Sequence, residues 1–193
     1  MKQESNDRGL IPAHGGYKHL YSYQKAEIIY RATVHFVQHR IPANSRTRDQ
    51  MEQAARSGKQ NIVEGSMASA TSKEMEIKLT NVARASLEEL LEDYRDFLKT
   101  TGIDEWPQEH PYAKRLRELC RIPDGNYETF QKGVEHPDPA IAANVIIGLI
   151  RVASVLPDRQ IRKLEQDFLA SGGLRENMTR ARLEARKREK NQR

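Results

Sequence analysis

The chain has 193 residues, one cysteine (Cys120), 6% aromatic and 31% charged residues, and a net charge of +5. That balance excludes an internal disulfide and is the profile of a helix-rich soluble protein with one core, expected in a reducing compartment such as the cytoplasm. The N-terminal residues lack the apolar run of a signal peptide, and the most apolar stretch, 139–150, is too short to span a bilayer, so no membrane association is expected.

Charge is unevenly placed. Residues 1–59 hold 10 Lys and Arg against 5 Asp and Glu, residues 60–139 hold 10 against 16, and residues 174–193 hold 8 against 3. A basic, acidic, basic order allows self-complementation between helices or subunits, and the basic blocks suit a polyanion.

Residues 1–21 are polar and broken by Gly9, Pro12, Gly15 and Gly16, which predicts an extended lead-in, pinned through Leu10, Ile11, Tyr17, Leu20 and Tyr21. A first helix is expected from about Ser22 to Arg40, stopped by Ile41-Pro42. Its stripe is Tyr23, Ala26, Tyr30, Val34 and Val37. Arg31, His35 and His39 lie on another face. The two histidines have the i, i+4 spacing of a zinc pair, but no third ligand accompanies them, so a basic binding face is the preferred reading.

A second helix is expected from about Ser45 to Met67, capped by Asn44 or Ser45. Met51, Ala54, Ala55, Gly58 and Ile62 face inward, small enough for a neighbouring helix to approach closely. Thr71-Ser72-Lys73-Glu74 reads as a capping box opening a third helix, with Thr71 as cap and Gly102 as stop. Met75, Leu79, Val82, Ser86, Leu90, Tyr94 and Phe97 or Leu98 form its stripe. A buried Ser86 hydroxyl needs a partner, for which Asn61 or Glu64 is in reach.

Residues 103–137 are irregular, with short helices expected at 112–121 and 127–134 crossing one end of the assembly. A fourth long helix starts with Asp138 as cap and Pro139 in its first turn. It is apolar on more than one side, which predicts burial both within the chain and against another subunit. Pro157 is expected to kink or break it, Asp158 restarts it, and Gly172-Gly173 ends it. The tail beyond is helix-forming. Leu174, Met178, Ala181 and Ala185 trace a thin apolar stripe, while Arg175, Arg182, Arg186 and Arg193 share another face, thickened by Lys187, Arg188 and Lys190. Six arginines against two lysines favour bidentate grip on phosphate.

The division expected is therefore a lead-in at 1–21, an all-α, up-down antiparallel four-helix bundle at 22–171, and a basic helical tail at 172–193. Phosphate-loop, dinucleotide, zinc-protease and nucleophile-elbow motifs are absent from the sequence, as are inward Glu-x-x-His pairs, and Cys120 has no evident base. No enzyme activity, cofactor or metal is expected. A metal site built from Glu27, Glu64 and Glu89 is the remaining, least favoured alternative.

Gln53-Ala54-Ala55-Arg56-Ser57, Asn61-Ile62-Val63-Glu64-Gly65, Ser72, Glu74 and Ala83-Arg84-Ala85-Ser86-Leu87-Glu88-Glu89-Leu90 occur in order on consecutive helices. Over about residues 20–101 this resembles the four-helix-bundle family of ribosomal-RNA intervening-sequence proteins, which includes the accessory protein of diversity-generating retroelements. The chain departs from that pattern in its longer 103–137 insertion and in a suffix from about residue 157. The resemblance implies a ring-like homo-oligomer, a pentamer. For the retroelement relatives it also implies binding of nucleic acid and a reverse transcriptase. It makes Arg56, Asn61, Glu64, Ser86 and Glu89 signature polar positions of structural rather than catalytic role.

The expected function is a non-enzymatic, oligomeric nucleic-acid-binding accessory protein, contacting RNA or DNA backbone through Arg31, His35, His39, Arg46, Arg48, Lys59, Arg175, Arg182, Arg186 and Lys187. The alternative is a protein-interaction scaffold whose basic tail docks an acidic partner or a neighbouring subunit.

Overall fold

The computed structural model describes residues 16–122 and 125–191. A single 3-10 turn, Tyr17–His19, precedes seven α-helices among the described residues, and no strand occurs among them. The helices are α1 Tyr21–Arg40, α2 Arg46–Ala68, α3 Lys73–Thr101, α4 Pro111–Cys120, α5 Tyr127–Val134, α6 Pro139–Ser171 and α7 Leu174–Asn191. The predicted lead-in falls mostly outside the described residues, including Leu10 and Ile11. Leu20 and Tyr23 pack against a small apolar cluster of Ala26, Ile62 and Ala83.

Local chemistry sets most boundaries. Ser72, not Thr71, caps α3: its hydroxyl accepts from the Met75 amide at 3.1 Å. Thr71 instead donates back to the Ala68 carbonyl, and Glu74 pairs with Lys78 rather than closing a box. Gly102 ends α3 at φ 67°, a left-handed conformation that favours glycine. Asp138 caps α6 through the Ala140 amide at 2.8 Å, with Pro139 in its first turn. Ser45 occupies the cap position of α2 without a side-chain capping bond.

α1 packs on α2 and α6, and α3 packs on α2 and α6. α2 meets α3 through small residues. A Cβ on Gly58 would sit 3.0 Å from Leu87, and one on Gly65 would sit 3.4 Å from the Glu76 carbonyl oxygen. The main core runs through Ile29, Ala32, Phe36, Met51, Leu87, Leu90, Tyr94, Ile146 and Ile150. Tyr94, fully buried, donates to Thr33 at 3.2 Å, and Phe36 packs edge-on against both Tyr94 and Phe97.

Two predicted faces are rotated. On α1 the predicted Ala26 and Val37 are fully buried, but Ile29, Ala32 and Phe36 are buried with them and Tyr23, Tyr30 and Val34 are only partly covered, because α2 and α6 flank the helix on both sides. On α3 the N-terminal half buries Glu76, Thr80 and Ala83 and leaves Met75 and Val82 47% and 46% exposed. The close approach of α2 at Gly65 and Gly58 selects the small side of α3.

α6 is one continuous helix through Pro157, not two segments. An interior proline costs about 3 kcal/mol. Packing beyond it offsets that cost: Asp158 pairs with Arg84, Gln160 accepts from Ser22, and Leu164 is buried. An 18-residue window within 139–190 has mean hydropathy 1.9, apolar enough to cross a membrane by length and composition, and half of it is buried inside the molecule.

The 103–137 insertion does not cross an end. α4 and α5 lie on α6, and α5 also touches α1. These two helices cover part of the apolar surface of α6 that predicted a second subunit, while Val155, Phe168 and Leu169 stay exposed. Leu116 of α4 approaches so closely that a Cβ on Gly148 would lie 2.4 Å from its Cδ2, and Gly133 of α5 seats against Val145. α7 has no comparable packing against any helix.

Candidate nucleic-acid interface

The basic residues singled out by the sequence divide into engaged and unengaged groups. Arg31 lies 4.0 Å over the Tyr127 ring and pairs with Glu128. Lys59 pairs with Glu27 at 3.1 Å and lies over the Tyr30 ring. His35 and His39 stack at 4.2 Å, and His39 Nδ1 sits 2.7 Å from the His35 carbonyl. Burial, and then the neighbouring His39, hold His35 below the usual imidazole range. The counter-ions of Arg31 and Lys59 come from α5 and from α1, and Arg31 and His39 remain exposed. No cluster of three or more metal-ligating side chains occurs among the described residues.

Arg46 and Arg48, at the start of α2, have no ion pair among the described residues. The same holds for Arg175, Arg182, Arg186 and Lys187 on α7, and for Arg180, Arg188 and Lys190 beside them. All seven of these α7 cations are solvent-exposed. Arg193 lies outside the described residues. Gly172, at φ 72°, turns the chain into α7, and the Glu176 carboxylate accepts from the Gly173 amide at 3.2 Å. The base of α7 lies near the first turn of α3. There Glu74 is held below the ordinary carboxylate range, first by its bond to Lys78 and, at longer range, by Arg175.

The signature polar positions separate too. Ser86 donates to Ser57 Oγ at 3.0 Å, and Asn61 donates to the same oxygen at 3.1 Å and to the Ser57 carbonyl at 2.9 Å. Ser57, not Asn61 or Glu64, is therefore the partner of Ser86. Arg56, Glu64 and Glu89 are exposed and take no part in this ladder. Beside it on α3, Asp93 has one carboxylate oxygen buried without a hydrogen-bond partner. Burial, with Glu89 and Asp96 adding to it, pushes this carboxyl up to about 6.

No family model, no curated protein and no solved structure matches this chain.

The sequence reading passed over one arrangement. Residues 104–106 are clamped to α6. Asn144, almost fully buried, accepts from the Trp106 amide at 2.6 Å and donates to the Asp104 carbonyl at 3.1 Å. Glu105 bonds Arg95 at 3.2 Å and forms an ion pair with Arg151 that is close but off the hydrogen-bond axis. This presents Trp106 against His110, stacked at 4.6 Å, and Tyr112 at 5.4 Å. The only sequence signal was the clustering of Trp106, His110 and Tyr112 around Pro107 and Pro111.

Proposed function

We propose that this chain is a non-enzymatic nucleic-acid-binding accessory protein. Its four long helices (α1, α2, α3 and α6) form an up-down antiparallel bundle, and copies of it assemble into a ring-like homo-oligomer, a pentamer, in the cytoplasm. Support for the bundle comes from paired positions. Arg40 donates to the Pro137 carbonyl while Ser22 bonds Gln160, which sets α1 against α6 in opposite directions. Ser57–Ser86 and Gly65–Glu76 do the same for α2 and α3. The family resemblance supplies the ring and the association with a reverse transcriptase or RNA-associated system.

The observation that carries the binding reading is α7. It is a basic helix with exposed cations, no ion pair among the described residues and almost no packing, so its charge is available to phosphate. Arg46 and Arg48 stand at the other end of α2 from the α3 first turn, about 34 Å away for a 23-residue helix. Ring symmetry would repeat both sites and raise avidity for a flexible polyanion.

The test is a salt series. Binding of single-stranded oligonucleotide by the full chain is compared with that of a variant carrying Arg175→Gln, Arg182→Gln, Arg186→Gln and Lys187→Gln. Each lost phosphate contact lowers the slope of log K against log salt by about 0.7 on single strands, so the slope falls by about 2 to 3. An unchanged slope removes α7 from the interface. Equal weak binding of oligonucleotide and heparin favours the second reading, a protein-interaction scaffold. That reading draws on the exposed acidic row Glu88, Glu89, Glu92 and Asp96 of α3, a complement for the α7 of a neighbouring copy.

A further inference from the structure

Between α4, α5 and α6 lies a cavity of about 370 Å³. Its floor is apolar, with Leu116, Phe130 and Val145, and Trp106 and Tyr112 form aromatic walls. Arg115, Lys132 and His136 also line it, and no carboxylate does. His136 Nδ1 accepts from the Asp138 amide at 3.1 Å, so its proton is on Nε2, a donor. Lys132 has no ion pair among the described residues, while Arg115 pairs with exposed Glu118 one turn away. Tyr112 is 58% exposed. The α4 wall is fixed by the close approach at Gly148, and the Trp106 backbone is fixed by Asn144. The groove is therefore preformed.

The Tyr112 ring, tilted 43° to Trp106, offers a face to a planar occupant, and the Lys and Arg of the lining, with no carboxylate among them, favour an anion beside that ring. Tyr112 Oη and Thr129 Oγ1, also in the lining, supply acceptors and a donor for polar ring edges. An unpaired nucleotide has all three features. We infer that the α4–α5–α6 groove is a subsite for one base of a single strand, stacked on the exposed Tyr112 ring beside Trp106, with its phosphate held by Lys132 and Arg115. This rests on the nucleic-acid reading above but uses a surface separate from α7. It gives the protein a preference for single strands, because a base inside a duplex cannot enter a groove.

Trp106 is the only tryptophan in the chain, so its fluorescence reports the groove directly. The full-length protein is titrated with a twelve-nucleotide oligodeoxyadenylate, with an abasic strand of equal charge, and with an acidic phenylalanine-containing peptide. Binding is followed in parallel by anisotropy of labelled strands. The inference predicts quenching by oligodeoxyadenylate alone. It also predicts a roughly fivefold or greater loss of affinity on Tyr112→Ala with Lys132→Ala, with unchanged helical circular dichroism. Equal quenching by the abasic strand, or binding without quenching, overturns the subsite and leaves α7 binding intact. Quenching by the peptide and not the oligonucleotide gives the groove to a protein partner and overturns the inference. No binding of any strand by anisotropy removes the nucleic-acid reading itself.

Discussion

Asp93 carries the clearest residue-scale consequence. Its buried oxygen has no partner, and burial pushes the folded carboxyl up to about 6. Unfolded, the group titrates near the ordinary value of about 4. Between about pH 4 and 6 the folded state therefore binds more protons than the unfolded state, so stability falls as pH rises through this window. The loss is about 1 kcal/mol after allowance for solvent reaching this half-buried carboxyl. Asp93→Asn removes the charge at nearly constant shape. The difference in thermal midpoint between variant and parent should be near nil at pH 4 and grow in favour of the variant by pH 7. A difference that stays constant across this range would show that Asp93 titrates normally. None of this was legible in the sequence, where Asp93 is one acid among several on α3. Its perturbation depends on which oxygen the fold covers.

At the scale of elements, caps and stops were legible because they are local. Gly102, Asp138-Pro139 and Gly172 fix ends through their own backbone preferences, and Thr71 for Ser72 is a slip of one residue between two good caps, whereas Pro157 does not end α6 because packing on both sides of it carries the helix through. What covers a helix face was not legible. α6 is apolar on more than one side, and a sequence cannot distinguish a neighbouring subunit from α4 and α5, which cover part of its first half. The same limit applies to charge. Arg31 and Lys59 read as free cations, but Glu128 on α5 and Glu27 on α1 are brought to them by the fold. The seating of α4 can be tested at Gly148. Alanine there would place its Cβ 2.4 Å from Leu116 Cδ2, so Leu116 must leave its rotamer or α4 must shift. A cost of about 1–2 kcal/mol is expected. Urea melts would measure it, accompanied by a shift in Trp106 emission as the wall beside it moves. Full stability with unchanged emission would mean that α4 is loosely held.

For the whole molecule, the question is which surface serves assembly when the insertion covers part of α6. Met75, Leu79 and Val82 follow one another at three- and four-residue spacing on α3, and Met75 and Val82 are left about half exposed. They continue into the polar ladder of Ser57, Asn61 and Ser86. An apolar row followed by a satisfied polar ladder gives both affinity and register, as a contact between copies requires. In the proposed ring this α2–α3 flank is the subunit contact, and α7, bound to no other helix, is left outside it. Val82→Glu places a charge in the middle of the apolar row, where the nearest cation on its own helix face, Lys78, is already paired with Glu74. Light scattering after gel filtration should show the parent as a pentamer and the variant as smaller species. Helical content should be unchanged, since Val82 contributes little to the core. A parent that runs as a monomer at tens of micromolar removes the ring. A variant that keeps the parent's mass moves the contact to another face.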